Sequence, residues 1–574
     1  MSFSIFESIL QTFVLSVVII LYPMAANPNF HDGDFVLSAA PGFYDEPFYL
    51  SVSIPSMPDA AIYWTIDGTI PGGADRFVQR NNHIIQVSGL IPANGKIAVN
   101  DRSGYWQYSI LTAHSEQWSR TTPAEDAEIL QGTAFRFKGF IDGQAVTTAI
   151  TATYIIASNA AERFSNMPVI AVTAPYEDFL YIYYHADARE PVTRRRVFNY
   201  EYFELSDNEY TRIFNMPGSS SLGGNSTRSN AQRTINVHLA RGQLDGFIEH
   251  PIFPGLYELY RFRLWNGGNN FREDFFRDTF AQTSSVGLNV QGSDNQLAIK
   301  FINGEFWGFT SIREHTSNRH FINTRFGIDI DNVAIIDRSH IRVFARDSID
   351  SVVEGDEAVV LALYDEFARF LRRNDMASDY ARERLFNEFL CKYNFMDYII
   401  ANTFFYNRDW PQNNVRFFRA ITPDANSPNP YNDGRWRFIL HDMDLAPRTG
   451  EPQYTYSRFS YVYRPRRRAN DQNLWLNYAF RVFDNPSFAE QFRERALYVL
   501  ENHFTQDQLL TLHDEFIMQY NPLLLEMYNR FPVRGSVDES IDNFNTQSLQ
   551  LRTFLINREY YYRKQLDALV ERAR

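Results

Sequence analysis

The chain has 574 residues, too many for one core at roughly 100–200 residues per domain, so several folding units are expected. Hydrophobic residues make up 44% and charged residues 21%, which excludes global disorder, and the formal net charge of −13 argues against nucleic acid as a partner. The single cysteine, Cys391, rules out intrachain disulfides and cysteine-based zinc cages but leaves the compartment open. Only Lys96, Lys138, Lys300, Lys392 and Lys564 are lysines among 55 basic residues, which matters for any lysine-dependent chemistry.

In chain order, the first feature is the apolar run Phe13 to Tyr22, followed by the small residues Ala25 and Ala26. It is too short to span a bilayer and has the length of a signal-peptide core, although the preceding flank carries Glu7 and no basic residue. Residues 1–30 are therefore expected to be an export segment, with a buried strand or helix as the alternative, and no stable transmembrane anchor is expected. From about 35 to 157, the runs FYLSVSI, AIYWTI, HIIQVSGLI, WQYSIL, AFRFKGF and VTTAITATYII read as short strands, with turn signals at Asp67-Gly68 and Asp142-Gly143. That pattern predicts an all-β sandwich.

Beyond about residue 165 the pattern mixes strands with helices. PVIAVTA, RTINVHLA, YRFRLWN, LAIKFING and EFWGFTSIRE read as strands, the last two forming a hairpin at Asn303-Gly304. Apolar periodicity predicts helices over Glu357 to Arg373 and then through ARERLFNEFLCKYNFMDYIIANTFF. From about 475 the chain reads as helical almost to its end, and no 20–50-residue period recurs.

The densest polar cluster within apolar sequence lies between Asn402 and Asp444. Asn407 to Asn414 (NRDWPQNN) interrupts a helical pattern and sets Asp409 five positions before Asn414. The runs VRFFRA and RWRFIL follow as two strands, the second ending at His441-Asp442-Met443-Asp444. Phosphoryl transfer from a nucleotide needs such groups: an aspartate to orient the attacking hydroxyl, and amide and carboxylate oxygens for magnesium or manganese. The D-x-x-x-x-N spacing equals that of a protein-kinase catalytic loop, though Asp and Asn in a loop also serve plain turn chemistry. Upstream, Gly223 to Gly242 sets a glycine-containing turn and arginines before a strand, a phosphate-facing edge.

These segments, with RFRLWNGGNNFREDFFRDTF and FINGEFWGFTSIREH, resemble the spore-coat protein H (CotH-type) kinase family in the family's order of motifs from about Pro168 onward. The earlier segment around AIYWTIDGTIP resembles the small β-sandwich at the C-terminus of chitobiases and hexosaminidases, a module that accompanies catalytic domains. The resemblance implies a secreted or surface-associated atypical protein kinase that uses ATP and Mg2+ or Mn2+ to phosphorylate serine or threonine of an extracytoplasmic or spore-coat protein. Carried over by position, Asp409 is the catalytic aspartate, and Asn414 and Asp442 are metal ligands. Asp444 is expected to share the metal role, with the choice between the two aspartates open. Glu314 is a looser candidate, expected to pair with a phosphate-binding base.

Where the family has lysine after the glycine turn, this chain has Gln232-Arg233-Thr234. Arginine is planar, permanently charged and bidentate, so it does not simply replace a point-charge lysine. Arg228, Arg233 and Lys300 are the expected ATP-binding cations. The departure also motivates a second reading, a non-catalytic surface scaffold whose sandwich contacts protein or glycan. No P-loop and no H-E-x-x-H occurs, and Arg464 to Asn470 (RPRRRAN) reads as a solvated or anion-binding loop. The expected fold class is α+β: a β-sandwich over 35–157, then an atypical protein-kinase-like domain over 165–574, helical from about 475.

Overall fold

The computed structural model describes residues 29–80, 83–111, 123–185, 195–224, 226–241, 244–338, 351–411, 413–447, 453–460 and 475–574. Residues 1–28 of the expected export segment and the basic run Arg464 to Asn470 lie outside these residues, while Phe30 opens a strand.

Alternation of apolar and polar residues builds the expected sandwich. In Thr133–Ile141, Phe135 and Phe137 turn inward while Arg136 and Lys138 face out, as a strand period of two requires. That strand lies in a sheet with Gly42–Tyr44, Ile150–Ile156, Ala61–Thr65, His83–Leu90 and Arg76–Arg80. It faces a four-stranded sheet of Phe30–Asp32, Phe35–Leu37, Phe48–Ser53 and Lys96–Val99. Phe35, Leu37, Leu50, Phe137 and Tyr154 fill the space between the sheets. Asp142 and Gly143 both take positive φ at a two-residue hairpin turn, as the sequence predicts. The expected strand WQYSIL is instead a 3-10 turn over Trp106–Tyr108, because Trp106 drops into the core of the following domain.

Ile150–Ile156 is buried along its whole length because it has a core on each side: Ala152 and Tyr154 face the sandwich, and Ile155 faces the next domain. The two units are tied by charge at this strand. Glu201, fully buried, accepts from the Thr153 amide (3.3 Å) and from Arg212 (3.0 Å), and Arg212 also reaches Asp32. Burial pushes the Glu201 carboxyl upward and Arg212 pulls it back.

Seven strands then close a barrel in the order Val169–Thr173, Arg196–Ser206, Glu209–Leu222, Ile235–His238, Arg261–Trp265, Glu305–Glu314 and Asn295–Ile302, the last parallel to the first. The hairpin Arg196–Ser206/Glu209–Leu222 escapes the sequence reading, its turn being Asp207-Asn208 rather than an Asn-Gly signal, with both residues at positive φ. Asn303-Gly304 forms the expected hairpin turn. On the barrel, Tyr200, Val237, Phe262 and Leu264 belong to the apolar core, while the alternate positions Asn236, His238, Arg261, Arg263 and Trp265 form a polar outer face.

That face looks onto a second lobe. Its sheet is Ser351–Glu354, Val333–Arg338, Val415–Ala420 and Arg437–Ile439. The helix Glu357–Arg373 starts where the Asp356 side chain accepts from the Val359 amide. The helical pattern expected through residues 381–405 is interrupted: a π-turn over Leu385–Phe389 leads to Leu390, which bridges to Trp436, before Lys392–Phe404 begins. The C-terminal helices Pro486–Asn502, Gln506–Tyr520 and Val537–Ala573 cover the lobe as expected. Among the described residues no helix is long and apolar enough to cross a membrane.

Replacing Arg212 by Met leaves Glu201 buried without its guanidinium and is expected to lower unfolding free energy by about 3 kcal/mol. Equilibrium urea denaturation checks this, and the Arg212→Met/Glu201→Gln double variant is expected to recover part of the loss.

Candidate active site

The Asp409 loop is held from behind. The helix Lys392–Phe404 ends with carbonyls that need donors, and the buried Arg558 guanidinium of the last helix supplies them, at 2.6 Å to Phe404 O and 2.7 Å to Thr403 O. Asn407 then turns the chain: its amide nitrogen donates to Asn402 Oδ1 (3.0 Å) and lies 3.4 Å from the Asp442 carbonyl, while its Oδ1 accepts from the Asp409 amide at 3.2 Å. Asp409 is half-buried, its two oxygens accepting from Asn413 (3.0 Å) and Asn414 (3.1 Å). Asn414 sits at φ 58°, a left-handed conformation that Asn tolerates better than most residues.

His441 to Asp444 leaves the strand Arg437–Ile439 and lies beside this loop. Asp442, at φ 56°, is turned so that it and Asp444 are close enough to share a hydrogen bond. Burial pushes the Asp442 carboxyl well above the usual carboxylate range, and the charges of Asp444, Asp278 and Asp409 push it the same way. Burial also raises Asp444 to about 6, against the amide and side chain of Asn269, which donate to it at 2.8–3.0 Å. Gly268 has to be glycine here: at φ 58°, a Cβ would stand 2.4 Å from Asp444 Oδ2.

Asp278 fastens the segment to the barrel. Its buried carboxylate takes the Met443 amide, the Arg313 guanidinium and Gln282 Nε2 (2.9 Å), and Arg313 stacks 3.6 Å from the Trp265 ring centroid. The opposite wall of the cleft is cationic. Arg416 is committed to Asp337 (Nε, 3.0 Å) and lies 3.3 Å from His441 Nε2; Arg263 lies 3.1 Å from His315 Nε2. Burial and the surrounding guanidiniums hold His315 and His441 well below their ordinary range, and lower His238 to about 3, so the three imidazoles are neutral.

The sequence profile of the CotH kinase protein family matches residues 221–562, more than half of the chain. The chain belongs to the CotH kinase family. No curated protein matches it. The match spans the last four barrel strands in chain order, the Asp409 loop and most of the helical cover, and it leaves out the N-terminal sandwich.

In this CotH-family chain, the four residues expected at the reacting centre, Asp409, Asn414, Asp442 and Asp444, lie on two segments stitched together by Asn407. Among the described residues no three acidic, histidine or cysteine side chains stand as a ready-made metal cage. Their chemistry nevertheless fits a hard cation. Among the described residues Asp442 makes no ion pair, and Asn414 gives its nitrogen to Asp409.

The expected ATP-binding residues Arg228, Arg233 and Glu314 have contacts of their own. Arg228 braces its own loop, Nε to Gly224 O at 2.7 Å, although that loop adjoins the cleft through Asn230, which donates to Gly268 O. Arg233 lies two residues before the strand Ile235–His238, and its guanidinium lies over the Tyr183 ring at 5.8 Å. Lys300 is fully buried at a register shift opposite Trp307-Gly308, and its Nζ has no hydrogen-bond partner. Glu314 pairs with Arg325 at 2.9 Å, and its other oxygen accepts from the Asp294 amide; Arg325 is also held by Asp294. The sequence reading missed Asn269, Asp278, Arg263 and Arg313. The alternation R-F-R-L-W was the available signal for a polar strand face.

Burial lowers Lys300 to about 7, with Arg530 adding to the effect, so between about pH 7 and pH 10 the unfolded chain binds one proton more than the folded one. Stability of the wild type relative to Lys300→Met is expected to rise by about 1.4 kcal/mol per pH unit across that window. Chemical denaturation at several pH values measures it, and a flat difference contradicts the buried, partnerless amine.

Proposed function

We propose that this protein is an ATP- and divalent-metal-dependent protein kinase acting on serine or threonine of an extracytoplasmic, surface or spore-coat protein. The observation that carries the reading is the junction of the Asp409–Asn414 loop with His441–Asp444 through Asn407, beside a cationic wall. The half-buried Asp409 carboxylate is placed to accept the proton of an acceptor hydroxyl as its oxygen attacks the terminal phosphorus. The bond from that phosphorus to the bridging oxygen breaks, and ADP leaves. Asp442 and Asn414, with Asp444 in support, would hold the magnesium or manganese ion. When bound, that ion neutralises the negative charge of the phosphates. Asn269, Asp278 and Asn407 fix the orientation of these side chains, so little reorganisation remains for the reacting state.

Asp409→Ala is expected to lower phosphate transfer from labelled ATP at least about 100-fold, the usual worth of a positioned general base, while nucleotide binding by calorimetry stays within about twofold. Full transfer by that variant contradicts the assignment.

A second reading has one observation in its favour: arginine stands in the lysine's place and is seated against Tyr183. In this reading the domain is a scaffold, and the sandwich binds glycan through its cavity of about 210 Å³ lined by Tyr63, Trp64, Thr69, Arg76 and Ser88. Retention on insoluble chitin or cellulose that is lost in Trp64→Ala, with no phosphate transfer by the wild type, is the result this reading predicts.

A further inference from the structure

The cations of the cleft are not equivalent. Arg313 is spent on Asp278 and Thr279, and Arg416 on Asp337 and Thr316. Arg261 has Glu354 at 3.6 Å. Arg263 stands among them, paired in register with Arg313 and with Asn236, and it makes no ion pair among the described residues. Its Nη2 approaches the neutral His315 imidazole, whose other nitrogen lies 3.1 Å from the Ser317 hydroxyl. Its Nε is buried with no hydrogen-bond partner.

A guanidinium held this way is costly. Burial and the nearby Arg416 depress its charge affinity, while Asp337 and Asp442 act in the opposite sense. A buried charge without a carboxylate is retained where an anion completes it. Asp442 follows His441, which lies 3.3 Å from Arg416 Nη2, so the acidic segment adjoins this cationic cluster, and a ligand lying there would meet both. Such a ligand must offer several anionic oxygens to the guanidinium and also tolerate a cation on the acidic side, which describes a polyphosphate chain.

We infer that Arg263, rather than Arg233 or Lys300, is the side chain that grips the polyphosphate of the nucleotide, with His315 positioning its guanidinium. The inference rests on the kinase reading for the identity of the nucleotide, but the grip on polyphosphate is testable without transfer. Arg263 lies on the period-two face that carries His238 and Arg261, whereas Arg233 precedes that strand and lies over the Tyr183 ring.

The experiment is isothermal calorimetry of the full chain with inorganic tripolyphosphate and with ATP, each with magnesium, for wild type, Arg263→Gln, Arg263→Lys and Arg233→Gln. Arg263→Gln is expected to weaken both ligands about 10- to 100-fold, Arg263→Lys to recover part of that, and Arg233→Gln to weaken them less than about threefold. Thermal unfolding without ligand shows whether each variant is folded; should Arg263→Gln unfold, Arg263→Lys and His315→Gln carry the comparison. Wild-type affinity in Arg263→Gln, or a larger loss in Arg233→Gln, overturns the inference while leaving the kinase reading intact. Tripolyphosphate binding that depends on Arg263, in a chain that transfers no phosphate, keeps the inference and removes the kinase reading. A wild-type chain that binds neither ligand overturns both.

Discussion

The buried carboxylate of Asp278 is the constraint on which the rest of the cleft depends. It receives a guanidinium from a barrel strand and an amide from the segment bearing Asp442 and Asp444, so one side chain joins the two walls. A charge removed from water in this way must have its lone pairs filled, and here Arg313, Met443 and Gln282 fill them. The acidic segment is thereby held at a fixed position relative to Trp265 and the polar barrel face. Without that tie, the mutual repulsion of Asp409, Asp442 and Asp444 would favour separating the segments.

The cleft follows from sheet periodicity. The strand Arg261–Trp265 alternates so that Phe262 and Leu264 fill the barrel while Arg261, Arg263 and Trp265 face outward. The second lobe then offers its own polar strand end at His441. Two polar faces meet between two apolar cores, which concentrates charge in a site of low dielectric where electrostatic interactions are strong. The neutral imidazoles of His238, His315 and His441 separate the guanidiniums without adding further positive charge.

Much of this was legible in the sequence because it is local. The helix Glu357–Arg373, the hairpin at Asn303-Gly304 and the alternating strands of the sandwich each follow from the spacing of residues within one segment. Asp409, Asn414, Asp442 and Asp444 stand out as candidates through the family resemblance of two short motifs, their spacing alone being equally compatible with turn chemistry. For Lys300 and Arg233 the local pattern does not say which way the side chain turns, since the strand bearing Lys300 is buried on both faces and Arg233 lies before the strand Ile235–His238. At Lys300 a register shift adds to the ambiguity. Asp278 and Asn269 act on residues 165 to 175 positions away, and no local pattern announces such a partner. Trp106, read as part of a strand, serves a core in the neighbouring domain instead.

In the proposed function the Asp409 loop and the His441–Asp444 segment form one metal- and nucleotide-binding centre. Its most direct test is a crystal of the chain soaked with manganese and a non-hydrolysable ATP analogue, read by anomalous diffraction at the manganese edge. The account predicts an anomalous peak within about 2.5 Å of carboxylate oxygens of Asp442 or Asp444. It also predicts phosphate density between that peak and Arg263. A cleft without an anomalous peak, or a nucleotide bound away from Asp442, would contradict it.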